Sequence, residues 1–244
     1  MDRAIYLAMT GAAQTLAAQA VNSHNLANAS TTGFRAELID TRPVAVEGAG
    51  FASRVDTQLA GAGWDASAGA LQSTGNESDV AFAENIWLAV QSPSGLAYTR
   101  AGDLRLDGLG QLRLASGLAV MGEGGPLSLP PNARFSVGGD GTLSVLPLGE
   151  GSQQPVASGR LKLVQAEPGQ LQRGADGLMR ARPGQTLAAA EGPVVTSGVL
   201  ESSNVDLPEA MVTMIQLARS FELQVKLMKT AEENARSSEQ LLRV

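Results

Sequence analysis

From Ala4 through Phe34 the chain carries no Asp, Glu, Lys or Arg, and this run closes on "HNLANASTTGF". A solvated helix ordinarily carries charge on its outer face, so a charge-free stretch of this length reads as a surface that is buried on more than one side. Ile5, Met9, Ala12 and Leu16 recur at steps of four, three and four, which predicts one stripe of an amphipathic helix with Asp2 as a candidate cap. A helix from Arg3 to Asn28 is ~40 Å long at ~1.5 Å per residue. Ala12, Ala13, Ala17, Ala18 and Ala20 lower the conformational cost of helix, and their small side chains let neighbouring helices approach closely.

At the other end, "DLPEAM" supplies Asp206 as an N-cap, Pro208 in the first turn where proline is tolerated, and Glu209 three residues after the cap. Met211, Met214, Ala218, Phe221, Val225 and Met228 then alternate steps of three and four, the seam spacing of a coiled coil. Glu222 with Lys226, Glu232 with Arg236 and Glu239 with Arg243 stand four residues apart on the polar side, each pair worth ~0.2–0.5 kcal/mol.

Between these helices the pattern changes to short alternating runs punctuated by Gly, Pro and Asp. Aromatic residues make up only 4% of the chain while glycines number 28, so the core must be aliphatic and the turns many. "IWLAVQSPSGLAYTR" predicts a hairpin around Ser92 to Gly95, and "LRLDGLGQLRL" a second one turning at Asp107 to Gly110. "FSVGGDGTLSVLP" predicts a third, Arg160 to Gln165 a further strand, and "GADGLMRA" another turn at Asp176 and Gly177. The fold class is α+β: terminal helices pairing as a coiled coil, and a central, mainly antiparallel β domain built as a sandwich or partial barrel. The divisions are residues 1–34 for the first helix, 35–75 for an Ala/Gly/Ser-rich connecting arm, 76–200 for the β domain and 201–244 for the second helix.

Catalytic chemistry is hard to place. His24 is the only histidine and has no acidic residue close by in sequence; there is no GxSxG, HExxH, P-loop or dinucleotide fingerprint. Glu77, Asp79 and Glu84 cluster in the manner of a glycosidase dyad, although loop carboxylates of this kind are usually solvated. The Asp-Gly turns lack the ligand set of a calcium loop, and the chain has no cysteine, so no metal, cofactor or catalytic residue is assigned. A formal charge of −6 with no basic cluster makes nucleic acid and anionic membrane poor partners. Asp2 and Arg3 cancel where a signal peptide would be positive, and Thr10, Gln14 and Thr15 interrupt the apolar run. The segment is therefore expected to be retained, and no transmembrane span is predicted.

"NLANASTTGF" resembles the N-terminal signature of the bacterial flagellar rod and hook proteins, and "GVLESSNVDLPEAMVTMIQLARSFE" resembles their C-terminal signature. "YTRAGDLRLDGLGQLRLASGLAVMG" is similar to the β segment between them, so the resemblance spans most of the chain. The two ends look most like proximal-rod members. The resemblance implies that Asn25, Leu26, Ala27, Asn28, Thr32, Gly33 and Phe34 belong to one assembly motif and Asn204, Val205 and Asp206 to another. The sequence departs from the family pattern at His24, where a second Asn is usual, and at "ENIWLAV". The implied protein is a non-enzymatic structural subunit of the periplasmic basal-body rod, exported unfolded by the flagellar type III apparatus. Copies of itself and neighbouring rod proteins are its implied partners, with no small-molecule substrate. Its terminal helices would pack in the wall of a hollow tube, their uncharged Ala-rich faces buried where charge would be stranded in low dielectric, and would become ordered only on assembly. Gly33 is expected to take a left-handed turn at the helix exit, and Asn25 and Asn28 to satisfy helix-end carbonyls across contacts. The alternatives are another rod or hook member of the same family or, from a different class, a periplasmic cell-wall hydrolase or binding module.

Overall fold

The computed structural model describes residues 3–45, 55–131, 133–146 and 156–241. The proposed Asp2 cap and the Glu239–Arg243 pair lie outside the described residues and side chains. The chain divides into two compact units: Met1–Ala29, Ala36–Asp65 and Val205–Val244 form one, and Ser30–Arg35 with Ala66–Asn204 the other.

The first unit holds both helices, α1 (Arg3–Ala27) and α2 (Leu207–Leu241). They run antiparallel: the Asn22 amide donates to the Ala210 carbonyl at 2.7 Å, and a Cβ at Gly11 would come within 3.0 Å of the Gln224 side chain. α2 starts as its residues dictate, since Asp206 Oδ1 accepts from the Glu209 N–H at 3.1 Å and the Asp206 carbonyl from Ala210 at 2.9 Å. Of the expected intrahelical ion pairs, Glu232 and Arg236 close at 2.5 Å.

The stretch read as a connecting arm contains a long antiparallel pair, β1 (Glu37–Ala45) and β2 (Val55–Trp64), running from Glu37 opposite Trp64 to Ala45 opposite Val55 with a one-residue register shift between Asp40 and Thr41. β2 is rich in Gly and Ala and β1 is interrupted by Asp40, Arg42 and Pro43, so neither strand shows a clean apolar alternation that would advertise the ladder.

Among its described residues, the second unit is built of strands and one short 3₁₀ turn at Pro168–Gln170. Its first strands are β3 (Leu71–Ser73), β4 (Val80–Phe82), β5 (Ile86–Ser92), β6 (Gly95–Thr99), β7 (Leu104–Leu106), β8 (Leu112–Leu114) and β9 (Ala119–Gly122). β5 is central: it pairs with β6, with β9 and with Leu163–Gln165, every pairing antiparallel. β9 continues to β8 and β7, and β6 to Met179–Ala181 and Leu171–Arg173. Arg134–Val137, Thr142–Leu146 and Val156–Arg160 make a separate three-stranded sheet, and no sheet closes into a barrel among the described residues. The core is aliphatic, led by Leu88, Leu104, Leu112, Val120, Leu143 and Leu161.

Local chemistry built the predicted hairpins. In the β7–β8 turn, Asp107 Oδ1 accepts from the Leu109 and Gln111 amides at 2.9 and 2.8 Å, while Gly110 takes φ +81° under the Leu129 carbonyl. The single strand expected at Arg160–Gln165 is broken. Leu161 N–H donates to the Gly141 carbonyl and Lys162 N–H to the Met121 carbonyl, both at 2.9 Å, so the chain passes from the small sheet to the large one within two residues. The short strands Val195–Ser197 and Val199–Glu201 pair with β4 and β3, which puts Glu201 at a strand end and not at the start of the C-terminal helix region.

Candidate assembly helices and signature junction

α1 carries two rows of heptad spacing, one residue out of step. Ile5, Ala8, Ala12, Thr15, Gln19, Asn22 and Leu26 advance by alternating steps of three and four, and all are buried or half-buried within their unit. Tyr6, Met9, Ala13, Leu16, Ala20, Ser23 and Ala27 follow the same spacing and all are exposed. Rows displaced by one residue sit ~100° apart on a helix. The stripe inferred from sequence therefore divides: Ile5 and Ala12 belong to the inner row, while Met9 (54% exposed) and Leu16 (50%) belong to the outer one. Alanines at both rows made the two assignments indistinguishable by hydropathy.

On α2 the inner row is Ala210, Met214, Leu217, Phe221, Gln224, Met228 and Ala231. Ala218 and Val225 are half-buried beside it, but Met211 is 57% exposed, so the inner row begins at Ala210 instead. Met211, Ile215, Leu223 and Leu227 make an exposed apolar line four residues apart, interrupted by Arg219.

The N-terminal signature divides between the two units. At the end of α1, Asn28 Nδ2 donates to the His24 carbonyl at 2.9 Å, capping its own helix. Asn25 does something different: its Nδ2 donates to the Glu37 carbonyl at 2.9 Å and its Oδ1 accepts from the Glu37 N–H at 2.8 Å, so one side-chain amide clips the start of β1 to the helix. His24 Nδ1 lies 3.3 Å from the Glu37 carboxylate. Leu26 is half-buried on the inner row, and Val205 and Asp206 lead into α2.

Thr32, Gly33 and Phe34 fall in the β unit, where they meet the C-terminal signature. Gly33 N–H donates to the Glu201 carbonyl at 2.8 Å, and Asn204 N–H to the Phe34 carbonyl at 3.3 Å. Gly33 has the left-handed φ expected of it, +65°, yet it stands past the end of α1 and serves a close approach: a Cβ there would lie 2.3 Å from the Arg100 carbonyl carbon. Arg173 stacks its guanidinium 4.7 Å above the Phe34 ring and donates to the Arg35 carbonyl at 2.8 Å. Asn204 Nδ2 reaches the Ser67 carbonyl at 3.1 Å.

Beneath this contact lies a buried charge cluster that sequence reasoning passed over. The side chains of Arg35, Arg100 and Glu201 are 4%, 4% and 1% exposed. Glu201 Oε1 receives Arg35 Nη2 at 2.6 Å and the Gly69 N–H at 3.0 Å; Oε2 receives Arg100 Nε at 2.8 Å. Arg100 Nη2 also donates to Glu201 Oε2, at 2.5 Å, and the other guanidinium donors go to the Ala83, Ile86 and Phe82 carbonyls at 2.6, 2.7 and 2.8 Å. Burial lowers the Arg100 pKa from its usual value, and the Glu201 carboxylate opposes that. Arg35 is less well served, because its Nε and Nη1 are buried without a hydrogen-bond partner. The available signal was a single charge in each of three otherwise apolar or small-residue contexts, "TGFRA", "YTRAG" and "GVLES".

The acidic cluster is not assembled into a site: Glu77 and Glu84 are exposed, and Asp79 bridges to Asp103 through the backbone. No helix is long and apolar enough to cross a membrane among the described residues.

Three family models match the chain: flagella basal body rod protein over residues 5–35, the flagellar hook protein FlgE/F/G D1 domain over 84–145, and the flagellar basal body rod FlgEFG protein C-terminal region over 196–241. Each matched segment supplies one member of the Arg35–Arg100–Glu201 cluster. Among curated proteins, the chain is 44% identical to flagellar basal-body rod protein FlgF of Salmonella typhimurium over 249 residues, covering 99% of both. It is 43% identical to FlgF of Escherichia coli K12, again over 99% of both chains. It is also 32% identical to flagellar basal-body rod protein FlgG of Buchnera aphidicola, over 99% of this chain and 100% of the relative. A chain that matches such relatives from end to end, with both signatures in place, belongs to the flagellar basal-body rod protein family.

Proposed function

We propose that this chain is a non-enzymatic structural subunit of the rod, polymerising through its terminal helices into a hollow axial shaft. The observation that carries this reading is the outer row of α1: seven consecutive heptad positions, Tyr6 to Ala27, exposed and without one charge. Such a row has the spacing of a coiled-coil seam and gains nothing from water, so other helices are its natural covering. The exposed Met211–Ile215–Leu223–Leu227 line of α2 offers a matching surface. Helix-to-helix contacts between different surfaces are heterologous and propagate as a helix where they do not close into a ring. The partners are copies of this chain and neighbouring rod proteins in the periplasm, and the chain reaches them unfolded through the flagellar export apparatus. With one uncovered seam per helix, the terminal segments gain much of their stability only when subunits meet.

The chain has no cysteine, so one introduced thiol reports alone. Ala13→Cys, on the outer row, should restore swarming to a strain lacking the gene and form disulfide- or bismaleimide-linked multimers in purified basal bodies. Absence of the chain from those basal bodies, or a thiol that stays reachable by a bulky maleimide in intact rods, would refute the reading.

A further inference from the structure

We infer that Glu201 and Arg35 form a positioning clasp: they hold the two chain segments that lead to the terminal helices side by side on the β unit, and the rod needs that alignment more than the β unit needs the ion pair. Glu201 touches both segments at once. Its backbone carbonyl takes the Gly33 N–H, its Oε1 takes Arg35, and the Asn204 N–H that follows takes the Phe34 carbonyl. Arg35 immediately precedes the chain's return to the helical unit at Ala36, and Asn204 immediately precedes Val205, where the chain enters it again.

The bonding within the cluster separates the clasp from the fold. Without Arg35, Glu201 still has Arg100, which donates from both Nε and Nη2, and the Gly69 N–H, so a neutral and hydrogen-bonded pair remains. Arg35 adds a second buried positive charge and two guanidinium nitrogens with no partner. A buried ion whose donors are only partly used is a poor stabiliser, and a hydrophobic side chain of similar size often replaces it without loss. Arg35 is therefore an inefficient way to stabilise the β unit, and an effective way to tie residues 33–35 to Glu201. Arg173, over Phe34 and on the Arg35 carbonyl, braces the same segment from the other side.

The test uses the full-length chain with Arg35→Met, Arg35→Lys and Glu201→Gln. Arg35→Met should leave the thermal midpoint of the β unit unchanged or higher. Amide exchange at Gly33, Phe34 and Asn204 should rise by about tenfold or more, as local opening predicts, while Leu88 and Val90 keep their protection. The same variant should be lost from purified rods, and Arg35→Lys, which keeps the charge on Glu201, should recover part of both the protection and the incorporation. Glu201→Gln leaves two guanidinium groups facing a neutral amide and should lower the midpoint as well. A midpoint that falls with Arg35→Met in step with incorporation would make the cluster ordinary packing and overturn the proposal. Unchanged exchange at residues 33–35, or normal incorporation despite faster exchange, would overturn it equally. The incorporation arm rests on the rod reading, which fails by itself if the unaltered chain does not enter rods; the exchange arm then still decides whether the clasp exists.

Discussion

Leu16→Asp separates the stability of the subunit from the stability of the assembly. Leu16 is half exposed on the outer row of α1, so it contributes about half of the ~1.5–3 kcal/mol that full burial of such a side chain provides. Asp is also a poorer helix former than Leu by ~0.5 kcal/mol. The helical unit should thus lose about 1.5 kcal/mol, and the β unit, which does not contain Leu16, nothing. In the rod the same carboxylate would be taken out of water against apolar helices, at a cost of several kcal/mol per ion. At ~1.4 kcal/mol per factor of ten, a penalty of about 4 kcal/mol weakens each subunit's incorporation by roughly 10³-fold. Thermal melts of the purified chain carrying Trp64→Phe, followed by circular dichroism for the helices and by fluorescence of the buried Trp87 for the β unit, measure the first effect. The amount of variant in purified basal bodies, together with swarming, measures the second. Leu16→Met, similar in volume and apolar, should assemble normally. Normal incorporation of Leu16→Asp, or a β-unit melt that falls with it, would refute the reasoning.

Gly33→Ala should lower the urea stability of the β unit by about 2–4 kcal/mol, combining ~1–2 kcal/mol for a left-handed alanine with the shift needed to clear the Arg100 backbone; a loss below about 1 kcal/mol would show that this segment is not seated as described. Asn25→Ala removes two hydrogen bonds to Glu37, worth ~0.5–1.5 kcal/mol each, and should speed exchange of the Glu37 amide while leaving β-unit protection intact. Asn25→Asp retains the acceptor but not the donor and adds charge beside the Glu37 carboxylate, so it should not rescue.

What was legible in the sequence was local. Asp206 capping α2, Asp107 folding the β7–β8 turn and the strands on either side of Ser92–Gly95 each depend on residues within a few positions of one another, so spacing alone revealed them. The strand broken at Leu161 was not legible, because its two halves answer to different sheets. Nor was the choice between Ile5/Ala12 and Met9/Leu16: both pairs have helical spacing, and only the antiparallel placement of α2 and the packing within the helical unit decide which row is covered.

By itself, then, the sequence determined the terminal helices, the hairpins of the β unit with their turn chemistry, and the charge-free surface of α1, since these follow from backbone preference and hydropathy over short stretches. Tertiary structure alone decided that Asn25 reaches β1, that β1 and β2 pair, and that Arg35, Arg100 and Glu201 meet below Gly33. Those groups lie far apart in the chain, and a buried charge is tolerable only where the fold brings its counter-charge within hydrogen-bonding distance. That condition is three-dimensional, so nothing in the spacing of the residues could state it.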